Sequence, residues 1–350
     1  MFRFLKTHSL ATGMGLVALM ALTGCQNFTS SSKLDLEGAI TVPSEYVYTA
    51  SISEKSSTRE QNILTNLLMI LESDAKSAED KAELFYEVGS LYDDLGLEAM
   101  ARFMLMNSIV NKPGFARPYE LLGIYFFKEG RIAEACDAFD SAIELDKQKT
   151  STYPYLNRAF VMYYTRHYKM AVDDMKVFFN SDPTDPYRML SMYFVEEKVI
   201  GQKNALKNLE QNYIKGQTAK RKDSWGDALV LYYLDKMSQK ELFKDMLLVK
   251  DDEDLFQEHL CEAYYYVGKK ALEKGIKIVI ASGRPFFRVS QILKALEKGN
   301  DKLAYDYFKL CRSTRKYGFL EYRNAYIEMQ ALERKYNLLK VAPLEDNDNE

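Results

Sequence analysis

The stretch that decides the fold runs from Ala82 to Asp146, AELFYEVGSLYDDLGLEAMARFMLMNSIVNKPGFARPYELLGIYFFKEGRIAEACDAFDSAIELD. One pattern occurs in it twice, 34 residues apart. Phe85, Val88, Gly89, Tyr92, Gly96, Ala101, Leu105, Ser108 and Pro113 hold positions 4, 7, 8, 11, 15, 20, 24, 27 and 32 of the first copy. Tyr119, Leu122, Gly123, Phe126, Gly130, Ala135, Phe139 and Ala142 stand at the same offsets in the second. Small residues at positions 8 and 20 let two helix backbones cross closely, and large ones fill the space around the crossing. Gly96 and Gly130 suit a turn that needs positive φ, and Pro113 has no N–H with which to continue a helix. The unit is a helix, a turn and a second antiparallel helix.

This is the tetratricopeptide (TPR) pattern. A third, degraded copy carries Tyr155, Ala159, Met162, Ala171, Met175, Phe178 and Pro183, with Arg166 where the turn glycine belongs. One such unit cannot bury its apolar face alone, so three in series make a stack. The expected fold class is all-α, a TPR-type helix-turn-helix solenoid with extra irregular helices, with residues 58–186 holding an N-terminal helix and three repeats.

Residues 1–24 have a basic start at Arg3 and Lys6 and a short apolar run from Leu10 to Leu22, ending in Leu22-Thr23-Gly24-Cys25. The run is short for a membrane span and is closed by small residues, which marks a secretory signal. LTGC resembles the lipobox of bacterial lipoproteins, which implies acyl chains on Cys25 and a membrane anchor there. Gln26 in place of aspartate points, by the same resemblance, to the outer membrane. Residues 25–57, rich in Ser and Thr, are expected to form a flexible tether. Between Thr58 and Asp74 the apolar series Ile63, Leu64, Leu67, Leu68, Ile70 and Leu71 covers more than one helical stripe. Such a helix either caps the first repeat or packs on a second copy of the chain.

Beyond Pro183 the regular repeat lapses. Residues 187–260 still carry helical segments, at 187–199, 203–214, 224–236 and 239–249, and Ser238 with Glu241 makes a capping box. Lys215, Lys220, Arg221 and Lys222 fit a solvated loop. A fourth TPR-like unit, within residues 261–340, begins at Cys261 with Tyr264, Val267 and Gly268. If residues 276–299 are an insertion, Ala304, Phe308 and Cys311 fall at positions 20, 24 and 27. A helix from Gly318 to Lys335 closes the stack, and residues 341–350 form an acidic tail.

The chain's 47 Lys and Arg against 50 Asp and Glu argue against a nucleic-acid partner. Cys136, Cys261 and Cys311 remain beside Cys25. Cys136 and Cys311 fit as small buried apolar residues rather than redox or metal ligands; the alternative is that Cys261 and Cys311 meet, because the start of a repeat's first helix lies near the end of its second. No catalytic constellation, metal-ligand spacing or cofactor motif is found, and the chain is expected not to be an enzyme. His167 and His259 have no second histidine at ligating spacing. What remains is the concave face lined by first helices: Tyr86, Asp93 and Asp94, then Arg117, Glu120, Ile124, Phe127 and Lys128, then Tyr153, Leu156, Phe160, Tyr163 and Tyr164. If open, it suits a peptide or protein; the irregular helices that follow are the alternative cover.

The lipobox, the three repeats and the strings YDDLGLEAMAR, AFDSAIELD, DPTDPYR and EHLCEAYYYVGK together resemble the NlpI family of outer-membrane lipoproteins. That resemblance implies a homodimeric, non-catalytic adaptor. It would gather a tail-specific periplasmic protease and murein endopeptidases, and so regulate cell-wall growth. It also makes Ile63, Leu64, Leu67, Leu68 and Leu71 the natural dimer contact. The 276–299 insertion and the longer tether depart from the family. An accessory role in outer-membrane protein assembly and a cell-wall hydrolase are the competing readings.

Overall fold

The computed structural model describes residues 36, 38–51, 55–72, 77–218, 224–273 and 301–336. The chain divides into two units, Met1–Gly38 and Ala39–Glu350, and the architecture below is that of the second. The expected signal, Cys25, the insertion 276–299 and the tail 341–350 lie outside the described residues, as do Lys220, Arg221 and Lys222.

Fourteen helices and two short 3-10 turns are found among the described residues, and no strand. Helix α1 spans Lys55–Leu71. Three helix pairs follow, α2 (Ala78–Asp94) with α3 (Glu98–Asn111), α4 (Ala116–Lys128) with α5 (Ile132–Leu145), and α6 (Tyr153–Tyr164) with α7 (Tyr168–Ser181). The turn residues Gly96 and Gly130 sit at φ 75° and 76°. Arg166, at the same position of the third unit, takes φ 66°, so the backbone keeps the turn where the sequence has lost the glycine. The close crossing is equally plain: a Cβ on Gly123 would lie 2.7 Å from the Phe139 ring. Ala101, Ala135 and Ala171 are fully buried at the matching position.

The pairing continues with α8 (Pro186–Ile200) and α9 (Gln202–Thr218), joined by Gly201 at φ 78°. Then come α10 (Trp225–Tyr233), α11 (Gln239–Met246) and α12 (Glu253–Glu273). Capping boxes start α2 at Ser77 and Asp80, α10 at Ser224 and Asp227, and α11 at Ser238 and Glu241, each satisfying two terminal N–H groups. A further helix, α13, covers residues 301–313, and α14 spans Leu320–Lys335. A Cβ on Gly268 of α12 would lie 2.8 Å from the Phe308 ring of α13, the same crossing as Gly123 with Phe139.

One expectation is corrected. The segment placed in a flexible tether is docked over residues 41–48. The Thr41 N–H and hydroxyl both donate to Asp306 Oδ2, at 2.7 and 2.8 Å. Tyr46 stacks on Phe243 with ring centres 4.6 Å apart, and its carbonyl accepts from the Tyr264 hydroxyl at 3.0 Å. Its two tyrosines bury against α11 and α12, which outweighs the Ser and Thr content that suggested mobility. The next helix also begins at Lys55, inside the expected tether.

Candidate functional site

The concave face of the three repeats is built from α2, α4 and α6, and it is not open. Helix α14 lies along it. Leu320, Arg323, Asn324 and Ile327 line a narrow gap together with Ile124, Phe127, Lys128, Phe139, Asn157 and Phe160. Their spacing, three and four apart on α14, is one helix face. The cover therefore comes from the closing helix, joined at the third unit by α8 through Met192 and Val195 and by Lys269 of α12.

Most of the expected groove residues are covered by that helix or by α8. Asp93 is buried; it accepts from the Tyr125 hydroxyl at 2.8 Å and is ion-paired with Arg323 of α14. Asp94 is half-buried and its carboxyl is held above the usual range by burial. Glu120 accepts from the Asn157 amide at 3.1 Å, and burial pushes its pKa up to about 7. Lys128 pairs with Glu98, and burial draws its pKa down. Phe160 is buried in a cluster with Leu156, Met175 and Val195, against which Leu320 packs. Ile124 and Phe127 pack on Ala135, Phe139 and Val161. The Tyr164 hydroxyl donates to Glu328 at 2.7 Å, and Tyr163 packs edge-on to Tyr164. Tyr86 keeps a half-buried place at the rim, with the exposed Arg117 guanidinium 4.8 Å above its ring.

Arg323, Glu328 and Lys269 are the residues that sequence reasoning missed here. Lys269 of α12 donates to Glu328 at 2.6 Å with both side chains nearly buried. A buried ion pair is tolerable only when its remaining hydrogen-bonding capacity is also met, which the Tyr163 and Tyr164 hydroxyls help to do. Deeper still, Glu262 accepts from Tyr187 at 3.0 Å and from the Trp225 indole at 2.6 Å. Glu321 accepts from Tyr266 at 3.0 Å. Burial raises the pKa of both carboxyls above the usual range. His259 stacks on Trp225, and burial lowers its pKa to about 4; His167 is exposed at the start of α7.

The expected dimer helix shows two faces. Ile63 is buried with Val88 and Met104, and Leu67 and Ile70 pack on that cluster, so one stripe of α1 caps the first repeat. Leu64, Leu68 and Met69 face solvent, with Leu64 60% exposed; the Leu71 side chain lies outside the described residues. Helix α3 behaves likewise. Ala101, Met104, Leu105 and Ser108 point inward, while Met100, Phe103, Met106 and Val110 are exposed, Phe103 at 60% and Val110 at 78%. Met104, on the inward side of α3, joins the cluster around Ile63, so α1 and α3 pack on one core.

Among the described residues no group of three or more His, Cys, Asp or Glu is placed to hold a metal ion, and no helix is long and apolar enough to cross a membrane. No family model matches the chain. Among solved structures, a crystal structure of MamA aligns at 20% identity over 49% of this chain and 98% of that chain, with a TM-score of 0.39.

Proposed function

We propose that the chain is a non-catalytic lipoprotein adaptor, anchored through acyl chains on Cys25 at the periplasmic side of the outer membrane and active as a homodimer. The observation that carries this is the outer face of the first repeat. Seven apolar side chains of α1 and α3 stand in solvent there, on helices whose other faces are packed. An apolar patch of this kind on a folded stack marks a protein-binding surface. Its occupant in this proposal is a second copy of the chain, meeting the same patch across a twofold axis, which is the commonest way identical subunits associate.

The partners follow from the resemblance to NlpI-like proteins: a tail-specific protease and murein endopeptidases. An adaptor accelerates their encounter without chemistry of its own. Two proteins held on one dimer meet at an effective concentration on the order of mM across a short span. The rim of the concave face around Tyr86 and Arg117 offers a cationic and aromatic contact for one of them.

The test pairs two measurements on the chain and its Phe103→Asp variant. Light scattering is expected to give a dimer for the first and a monomer for the second. Affinity capture from detergent-solubilised envelope is expected to recover the protease or an endopeptidase. Barrel-assembly components alone would move the function to outer-membrane protein assembly, and a monomer recovered without partners would overturn the proposal.

A further inference from the structure

Helices α12 and α13 form the base on which two other parts of the molecule rest. The Thr41 contact ends on Asp306 of α13, and Tyr46 and Tyr48 bond the Tyr264 hydroxyl of α12. Lys269 of α12 holds Glu328 of the groove-filling helix, and Tyr266 of α12 holds Glu321. What joins α12 to α13 therefore sets the footing for both.

That junction contains two thiols. Cys261 and Cys311 are each fully buried, and their Sγ atoms lie 3.6 Å apart although the residues are 50 positions apart in the chain. The Cys311 Sγ also lies 3.7 Å from the carbonyl oxygen of Glu321, at the foot of α14. A disulfide needs its sulfurs at about 2.05 Å on helices already close enough for the Cβ atoms to approach. The neighbouring crossing meets that need: Gly268 leaves no room for a Cβ against Phe308, so the backbones are drawn together one face along. A turn of the Cys261 or Cys311 side chain about its Cα–Cβ bond supplies the remaining approach. Cys136 does not share the site; it lies half-buried on α5, packed on the cluster of Ala135, Phe139 and Val161.

We infer that Cys261 and Cys311 are a redox site, closed to a disulfide by exchange with an external disulfide, and that the bond staples α12 to α13. One cysteine, as thiolate, attacks the oxidant's disulfide and forms a mixed disulfide. The other then displaces the oxidant's second sulfur. The Cys261–Cys311 bond forms, the oxidant's two sulfurs leave as thiols, and the two cysteine protons end on them. Burial holds the Cys311 thiol well above its ordinary pKa, so thiolate is scarce in the closed fold. The exchange accordingly runs while the two helices are still apart, and the finished bond is shielded from reductant afterwards.

The test uses the full chain, unfolded and reduced, then refolded in a buffer of glutathione and glutathione disulfide, alkylated and mapped by mass. The peptides of Cys261 and Cys311 are expected joined and lighter by the hydrogens lost, with Cys136 alkylated. The same endpoint is read from chain purified from the envelope without reductant, then denatured and alkylated, so a failure to refold does not blunt the result. Closing a loop of this length should raise the Tm by roughly 5–10 °C over the reduced chain. The gap should persist in Cys136→Ala and vanish in Cys311→Ala. Recovery of Cys261 and Cys311 alkylated, capped by glutathione, or joined to Cys136 would overturn the inference.

Discussion

The two sides of the repeat stack carry the same kinds of residue and end in opposite states. On the concave side Phe127, Phe160 and Tyr164 are closed over by α14, whose charged groups are paired with Asp93 and Lys269. On the outer side Phe103, Met106 and Val110 are left in water. The difference is not one of composition. It teaches that the repeat pattern specifies each helix pair, while what a finished face meets is decided by a segment far away in the chain, or by another molecule.

The sharpest way to break this comparison is to truncate one aromatic on each side. Phe160→Ala should cost about 3–5 kcal/mol of folding stability, because it opens a cavity in a packed core. Phe103→Ala should stay within about 0.5 kcal/mol for the isolated chain, since most of the ring already stands in water. Urea unfolding at concentrations too low for self-association measures both. Equal losses would mean that the outer face is covered in solution, and equal small effects would mean that α14 does not seal the groove.

A smaller effect sharpens the same contrast through pH. Glu120 on the concave floor has a folded pKa pushed up to about 7 by burial, against an ordinary value near 4.5. Below 4.5 both folded and unfolded chains hold the proton. Between 4.5 and 7 only the folded chain does, so the stability from this group is lost as pH rises through that window and is flat above it. Glu273, also pushed up to about 7 by burial, has the same sign. His259, lowered to about 4, has the opposite one: its share is lost as pH falls from about 6.5. A difference between variants isolates Glu120. At pH 8 Glu120→Gln should exceed the parent by about 1–2 kcal/mol, and at pH 4.5 the two should converge. Parallel profiles would show that water reaches the carboxylate and that the floor is not sealed.

Much of the stack was legible because its determinants are local. Gly96 and Gly130 mark left-handed turns, and Gly123 with Phe139 marks a helix crossing, all within one repeat. Helix α1 was half legible. Its apolar residues were plain, but only the helical phase relative to Val88 and Met104 separates the capping Ile63 from the exposed Leu64. The filled groove was not legible. Arg323 and Glu328 look like solvated charges, and their partners, Asp93 and Tyr164, stand 230 and 164 positions away. Nothing in the local pattern tells a buried salt bridge from a surface one. The docked residues 41–48 were hidden for a related reason, since two tyrosines among Ser and Thr carry no period.

The smallest expected effect concerns the turns, which belong to neither face and so report on the repeat alone. Arg166 is a side-chain-bearing residue at φ 66°, where Gly96 and Gly130 sit at 75° and 76°. Crowding of Cβ against the backbone costs an L-residue about 1 kcal/mol in that region, partly offset because glycine loses more freedom on folding. Arg166 is exposed at the turn, so its replacement opens no cavity. Arg166→Gly should therefore stabilise the chain by up to about 1 kcal/mol. Gly130→Ala, where a new Cβ meets nothing within 4 Å, should cost a similar amount through backbone strain alone. Opposite shifts of similar size in urea midpoint, with unchanged slope, would place both turns in one backbone class. A loss of stability in Arg166→Gly would mean that the arginine side chain, and not the turn geometry, holds the third unit together.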